Sequence, residues 1–181
     1  WNWKCRMVKN GDGEMIKKIN EFRKSEEYQF YQFGEDYYRG RNTEIMKRNP
    51  KCFVEGLGVV TNPYKANHRL ASGYLQKIID QKVNYLLGNG AVIKDESLDM
   101  DKYGLDFDEF LQDIATTASK KGRAWVYFYM DGGQLKMVEV EPEQITPTYD
   151  KYGKLEKVIR QYDDVDEKGK AVHVVLEYNK D

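Results

Sequence analysis

The hydrophobic period changes at Gly122, and this change limits the possible folds more than any other feature of the sequence. Upstream of it, apolar residues recur every three or four positions, which is the spacing of one helix face. Downstream, the run RAWVYFYM at 123–130 alternates as a strand does, and the Asp-Gly-Gly turn behind it leads into a returning strand. Helices followed by antiparallel strands predict an α+β fold. We expect a mainly helical part over 1–121 and an antiparallel β-meander over 122–181, together forming one domain.

The stretch 62–90, NPYKANHRLASGYLQKIIDQKVNYLLGNG, predicts one long amphipathic helix from Asn62 to Gly88 that serves as a scaffold. Asn62 can cap the first free N–H groups, and Pro63 suits the first helical position because it has no N–H to lose. Asn67 is an alternative start, and Gly88 can adopt the left-handed conformation that ends a helix. The apolar stripe of this helix consists of Leu70, Tyr74, Leu75, Ile78, Ile79, Val83, Leu86 and Leu87.

Weaker sequence patterns predict the structure of the remaining segments. Residues 14–37 have a helical period with one break, so a single long helix and two joined helices are both open. Residues 49–61 are expected to form a loop with little regular structure. A helix capped by Asp106 is expected to end at Gly122. Pro147 cannot donate a backbone hydrogen bond, so its strand is expected at a sheet edge.

The charge is nearly balanced, with 29 basic and 30 acidic residues and a net charge of −1. A sequence-specific DNA-binding module would present a basic face, so this class of protein is disfavoured. The 14 tyrosines suit large polar interfaces, because a tyrosine covers apolar area while keeping a polar tip. Asp80 and Lys82 interrupt the longest apolar run and no signal peptide is recognisable, so no membrane association is expected.

No residue pattern predicts catalysis, a cofactor or a metal site. His68 and His173 come without a nucleophile signature such as GxSxG. Cys5 and Cys52 form no CxxC pair, so structural zinc is disfavoured, reduced thiols are expected and a disulfide stays open. An acidic connector could hold a hard cation, but it lacks the glycine and the terminal glutamate of an EF-hand loop, so a solvated loop is favoured. Its acidic residues are Asp95, Glu96, Asp99 and Asp101.

Four motifs, taken in order, resemble the portal proteins of tailed bacteriophages, in the type found in long-tailed phages of Gram-positive hosts. They are the YYxG element (Tyr37, Tyr38 and Gly40), the DQKVNYLLG end of the long helix (80–88), the strand GRAWVY (122–127) and the proline-containing segment EPEQITPTYD (141–150). The resemblance covers about residues 26–181. No single motif is specific, and it is their order along the chain that carries the resemblance.

The resemblance implies a structural role without catalysis or cofactors. Portal proteins of this type form a dodecameric ring at one vertex of the capsid, and double-stranded DNA passes through its tunnel during packaging and ejection. The implied partners are further copies of the chain, the terminase that hydrolyses ATP, scaffolding and capsid proteins, and the head–tail adaptor. The implied location is the virion, and the host cytoplasm during assembly.

Members of this family are much longer, so the resemblance implies that this chain is the outer wing of a portal subunit. We accordingly expect the sequence to be incomplete after Asp181, with the residues that contact DNA and terminase lying beyond it. The residues expected to make oligomer or structural contacts are Tyr37, Tyr38, Gly40, Asp80, Lys82, Tyr85 and Gly88. From the residues alone, the polar positions of the long helix either face solvent or set the register of a subunit contact.

Two other functions remain open at the level of sequence. One is a small hydrolase that uses a carboxylate pair or a metal ion bound in the acidic connector; it predicts stoichiometric metal or ligand binding. The other is an adaptor module whose tyrosine-rich faces bind another protein; it predicts a stable monomer with one dominant partner surface.

Overall fold

The computed structural model describes residues 3–8, 13–91, 107–165 and 169–180. The helices in these ranges are α1 (Gly13–Arg23), α2 (Glu26–Tyr38), α3 (Thr43–Lys47), α4 (Tyr74–Leu87) and α5 (Phe107–Lys121). The strands are β1 (Trp3–Val8), β2 (Lys51–Val54), β3 (Gly58–Thr61), β4 (Trp125–Asp131), β5 (Gln134–Val140), β6 (Ile145–Tyr149), β7 (Leu155–Val165) and β8 (Ala171–Lys180). Helices combined with antiparallel strands confirm the α+β fold.

The strands form one four-stranded sheet and two separate hairpins. The sheet has the order β1-β8-β7-β6 and is antiparallel throughout, while among the described strands β2 pairs only with β3, and β4 only with β5. The predicted meander is therefore divided, because β4 and β5 stand outside the sheet that β6, β7 and β8 build. Strand β6 lies at a sheet edge, as its Pro147 predicted.

The prediction of a helix from Asn62 to Gly88 is wrong in its first half. Helix α4 begins at Tyr74, and 62–73 is irregular. Leu70 is exposed, so a helical segment at this position would bury little apolar area to offset the cost of ordering it. The Asn62 side chain instead accepts a hydrogen bond from the backbone N–H of Tyr64, in a local turn.

The end of α4 also differs from the prediction. Gly88 has right-handed backbone angles, with φ −66° and ψ −17°, and the positive φ of 75° occurs two residues later, at Gly90. The predicted left-handed role of Gly88 is therefore wrong. Gly122, in contrast, ends α5 with φ 82° as expected, and its N–H donates to the carbonyl of Ala118.

Two further regions show structure beyond what the local pattern predicts. The helical pattern of 14–37 forms two helices, because Ser25 caps α2 by accepting a hydrogen bond from the N–H of Tyr28. The expected loop at 49–61 contains the β2–β3 hairpin, whose turn uses the positive φ of Gly56 and Gly58. The predicted cap Asp106 and the acidic connector lie outside the described residues.

The core lies on both sides of the four-stranded sheet and between the helices. Met15 and Ile19 of α1 pack on Ile159 and Val175 of the sheet. A second cluster joins β5, β6 and β7 through Val140, Ile145 and Val158, with partly buried aromatic residues around it. Helices α2, α4 and α5 pack on one another, and Tyr31 of α2 and Ile79 and Val83 of α4 are buried. Strand β1, at the start of the part predicted to be mainly helical, joins the sheet of the last strands. The predicted division of the chain near residue 121 stays a prediction.

Candidate functional site

Lys121, the last residue of α5, is buried among carboxylates. Its side chain is 3% exposed, and its Nζ donates to Glu143 at 2.9 Å and to Glu141, and lies 3.8 Å from Glu35. Burial alone would lower the pKa of Lys121, but the hydrogen bonds to Glu141 and Glu143 outweigh it and hold the pKa above its ordinary value. The residue therefore stays a cation, and it ties α5 to the β5–β6 connection.

Glu35 of α2 gathers cations on the same side of α5. Its carboxylate accepts a hydrogen bond from Arg39 at 2.6 Å and forms an ion pair with Lys120 at 2.9 Å. Burial raises the pKa of Glu35, but these two cations outweigh burial and leave the pKa below its ordinary value. Glu35 thus faces both terminal lysines of α5, which fixes the register of α2 against α5.

A second group of polar contacts continues toward β6. The carboxylate of Glu27 accepts from the Tyr31 hydroxyl and pairs with Arg123 at 3.1 Å. Arg123 also donates to the hydroxyl of Tyr149 at 2.6 Å. Burial and the hydrogen bond to Glu27 raise the pKa of Tyr31. We call the two groups together the polar junction; its members are Glu27, Tyr31, Glu35, Lys121, Arg123, Glu141, Glu143 and Tyr149.

The polar junction is suited to holding the helices on the strands. Its cations and carboxylates are engaged with one another, so the groups are paired rather than poised for proton transfer. Gly34 allows this close packing, since a Cβ there would lie 1.9 Å from the carbonyl oxygen of Lys120. The sequence reasoning missed Gly34. The available signal was a glycine inside the aromatic run YQFGEDYY.

The structure brings together two of the residues predicted to make contacts. The Tyr38 hydroxyl donates to Asp80 Oδ1 at 2.8 Å, which joins α2 to α4 within one chain. Burial together with this hydrogen bond raises the pKa of Tyr38 to about 12. Tyr37 is half-buried, and Gly40 follows α2 with φ 70°. Asp80 is therefore occupied inside the chain, where it makes a structural contact between α2 and α4.

The remaining predicted residues lie on the surface. Lys82 and Gly88 are exposed, and Tyr85 is 88% exposed. Tyr85 belongs to an apolar face that α4 turns to solvent, formed by Tyr74, Ile78, Tyr85 and Leu86. We call it the exposed α4 face. The predicted stripe is thus divided, because only Ile79 and Val83 of α4 are buried.

Two more surfaces are apolar and open. The β2–β3 hairpin exposes Phe53, Leu57 and Val59, which we call the hairpin face. A cleft of about 550 Å³ lies between the β4–β5 hairpin and the four-stranded sheet. Residues that line this cleft include Trp125, Tyr127, Phe128, Leu155, Arg160 and Tyr178. Sequence periodicity could not reveal either surface, because both depend on how hairpins sit on the rest of the chain.

His173 and the acidic connector were candidates for other functions, and the connector lies outside the described residues. His173 pairs with Asp163 at 2.8 Å on an exposed stretch of β7 and β8. Among the residues that the structure covers, no group of three or more His, Cys, Asp or Glu side chains is arranged for a metal ion. None of the helices in the described ranges combines the length and apolar content needed to cross a bilayer.

In a comparison with known protein families, the chain matches phage portal proteins, which are structural proteins. The matching family model is described as phage portal protein, SPP1 Gp6-like, and it covers residues 17–178. Since this match includes most of the chain, the chain belongs to the SPP1 Gp6-like family of phage portal proteins. No curated protein matches the chain. The resemblance to phage portal proteins that the four sequence motifs carry is confirmed.

Proposed function

We propose that this chain is part of a portal ring at one capsid vertex, through which double-stranded DNA is packaged and ejected. The observation that carries the proposal is the family match over residues 17–178. The ring is dodecameric, seeds head assembly with the scaffolding and capsid proteins, and then binds terminase and the head–tail adaptor in turn. The terminase supplies ATP hydrolysis. The subunit works in the virion, and in the host cytoplasm while heads assemble.

The exposed α4 face supports a role in contacts between subunits. Large apolar side chains grouped on one face of a helix mark an interaction surface more often than a solvated one. Tyr85, Ile78 and Leu86 provide such a group, and Lys82 lies beside them as a charged rim. We assign subunit contact to this face and to Lys82.

Asp80 contributes in a different way. Because it accepts a hydrogen bond from Tyr38 inside the chain, Asp80→Lys would disturb the packing of α2 on α4 as well as any ring contact. Its effect on assembly is therefore not separable from its effect on folding. Tyr85→Ser is the cleaner variant, since the side chain is 88% exposed.

The test is the mass of the intact protein in solution, with negative-stain imaging of the same sample. We expect closed rings for the parent protein and a loss of rings for Tyr85→Ser, with an unchanged melting temperature. Tyr152→Ser is the matched control, because Tyr152 is an exposed tyrosine away from α4. A parent protein that stays monomeric at high concentration would contradict the proposal and would favour the adaptor function.

A further inference from the structure

The β2–β3 hairpin has two unlike faces. Strand pairing sets Phe53 opposite Val59, so these side chains share one face, where they are 76% and 66% exposed. Leu57 in the turn is 75% exposed. Cys52 and Val60, paired on the other face, are half-buried. The apolar hairpin face is therefore directed away from the body of its own chain.

This hairpin has little support from the rest of its chain. Among the described elements, β2 and β3 pack extensively only on each other. A two-stranded hairpin on its own is marginally stable in water, and an open apolar edge of this kind invites association. A partner that covered the hairpin face would therefore stabilise the hairpin.

The cleft beside the four-stranded sheet offers matching chemistry. Its aromatic lining surrounds Arg160, whose guanidinium carbon lies 5.4 Å from the ring centre of Tyr127 and 4.8 Å from that of Tyr162. The Nε of Arg160 is buried and has no hydrogen-bond partner. No carboxylate of the described residues forms an ion pair with this guanidinium. A partly buried guanidinium nitrogen without a hydrogen-bond partner is stabilised by a carboxylate. The aromatic lining of the cleft suits an apolar side chain next to that carboxylate.

We propose that the hairpin of one copy occupies the cleft of the next copy, with Leu57 and Phe53 on the aromatic lining. Glu55, exposed in the hairpin turn between these two residues, pairs there with Arg160. The proposal rests on the ring-forming function proposed above and names one of its contacts. Since hairpin and cleft are different surfaces of the same chain, the contact is head-to-tail, and it can repeat around a closed ring.

The decisive experiment is a cross-link between two different variants. Leu57→Cys and Phe128→Cys, each in a Cys5→Ser/Cys52→Ser background and each with a tag of different size, are expressed together and oxidised mildly. We expect a disulfide dimer that contains one chain of each tag. Both positions are exposed, so the fold should persist, and circular dichroism checks this. Tyr152→Cys replaces Phe128→Cys in the control and should give no mixed dimer, because Tyr152 does not line the cleft.

A second measurement uses assembly itself. We expect Leu57→Ser and Glu55→Gln each to raise the protein concentration at which half of the chains are in rings, by roughly tenfold for Leu57→Ser. Parent rings without a mixed disulfide, or with midpoints unchanged by both variants, would refute the hairpin contact and leave the ring function standing. A disulfide from Leu57→Cys to another phage protein would also refute it. A parent protein that forms no rings would overturn both proposals.

Discussion

Gly34 lies where α2 and α5 approach each other at backbone distance. A Cβ there would come within 1.9 Å of the Lys120 carbonyl oxygen and 2.9 Å of its carbonyl carbon. These atoms belong to the backbone and cannot rotate away, so the two helices would have to separate. We expect Gly34→Ala to lower the free energy of unfolding by about 2 kcal/mol, measured by urea denaturation.

Gly13→Ala is the control for this substitution. A Cβ at Gly13 meets nothing within 4 Å, and the residue begins a helix, so its stability should be unchanged or slightly higher. A Gly34→Ala variant as stable as Gly13→Ala would show that α2 and α5 are packed less closely than described.

Lys121 offers a test of the polar junction. Replacing it by methionine keeps most of the side-chain volume but leaves Glu141, Glu143 and Glu35 without their shared cation. We expect Lys121→Met to lower the free energy of unfolding by about 2 kcal/mol at neutral pH, because the partly buried carboxylates of Glu35 and Glu143 lose a cation that they share. Lys136→Met removes an exposed pair with Asp131 and should have no measurable effect in the same urea titration.

The pH dependence of the polar junction follows from two shifted groups. The pKa of Lys121 is raised by folding, so its stabilisation is complete below its unfolded pKa of about 10.4 and is lost as the pH rises through the folded value. The pKa of Glu35 is lowered, so its stabilisation is complete above about 4.3 and is lost as the pH falls through the folded value.

Urea denaturation at a series of pH values checks both directions. We expect the stability difference between the parent and Lys121→Met to shrink as the pH rises above about 10.5, where the lysine loses its charge. We expect the difference between the parent and Glu35→Gln to shrink as the pH falls below about 4, where the carboxylate is protonated. Differences that stay constant across both ranges would mean that the substitutions act through packing rather than charge.

At the scale of elements, α4 separates a core face from a surface face. Ile79 is 4% exposed and Ile78, its neighbour in sequence, is 62% exposed. We expect Ile79→Ala to lower the free energy of unfolding by about 3 kcal/mol, from lost apolar contact and the cavity left behind. We expect Ile78→Ala to change the free energy of unfolding by less than about 0.5 kcal/mol. Urea denaturation measures both variants. Equal effects of the two substitutions would mean that α4 is rotated from the described position.

At the scale of the whole molecule, the charge balance predicts weak binding to DNA. With 29 basic and 30 acidic residues, few phosphates can be neutralised without bringing carboxylates close to the duplex. We expect this chain to bind a labelled duplex with a dissociation constant above about 10 μM at physiological salt, measured by fluorescence anisotropy. Binding below about 1 μM with a steep salt dependence would instead place a DNA-contacting surface in these residues.

The architecture of the whole molecule explains why two strand pairings could not be predicted from the sequence. Strand β1 pairs with β8, at the other end of the described chain, for example through Cys5 and Tyr178. No local period announces such a pairing, because it depends on two segments meeting after the chain has folded. The β2–β3 hairpin was missed for a related reason, since its short strands carry too few alternating positions to be distinguished from a loop.

The sequence by itself determined the α+β class, the β4–β5 hairpin, the end of α5 at Gly122 and the family. These features depend on local period, turn chemistry and motif order, which neighbouring residues along the chain contain. Tertiary structure decided that α4 begins at Tyr74 and that Asp80 bonds Tyr38. It also decided which apolar residues of α4 stay exposed. The reason is that a helix, a buried charge or an apolar face is stable only against the partner that packing supplies.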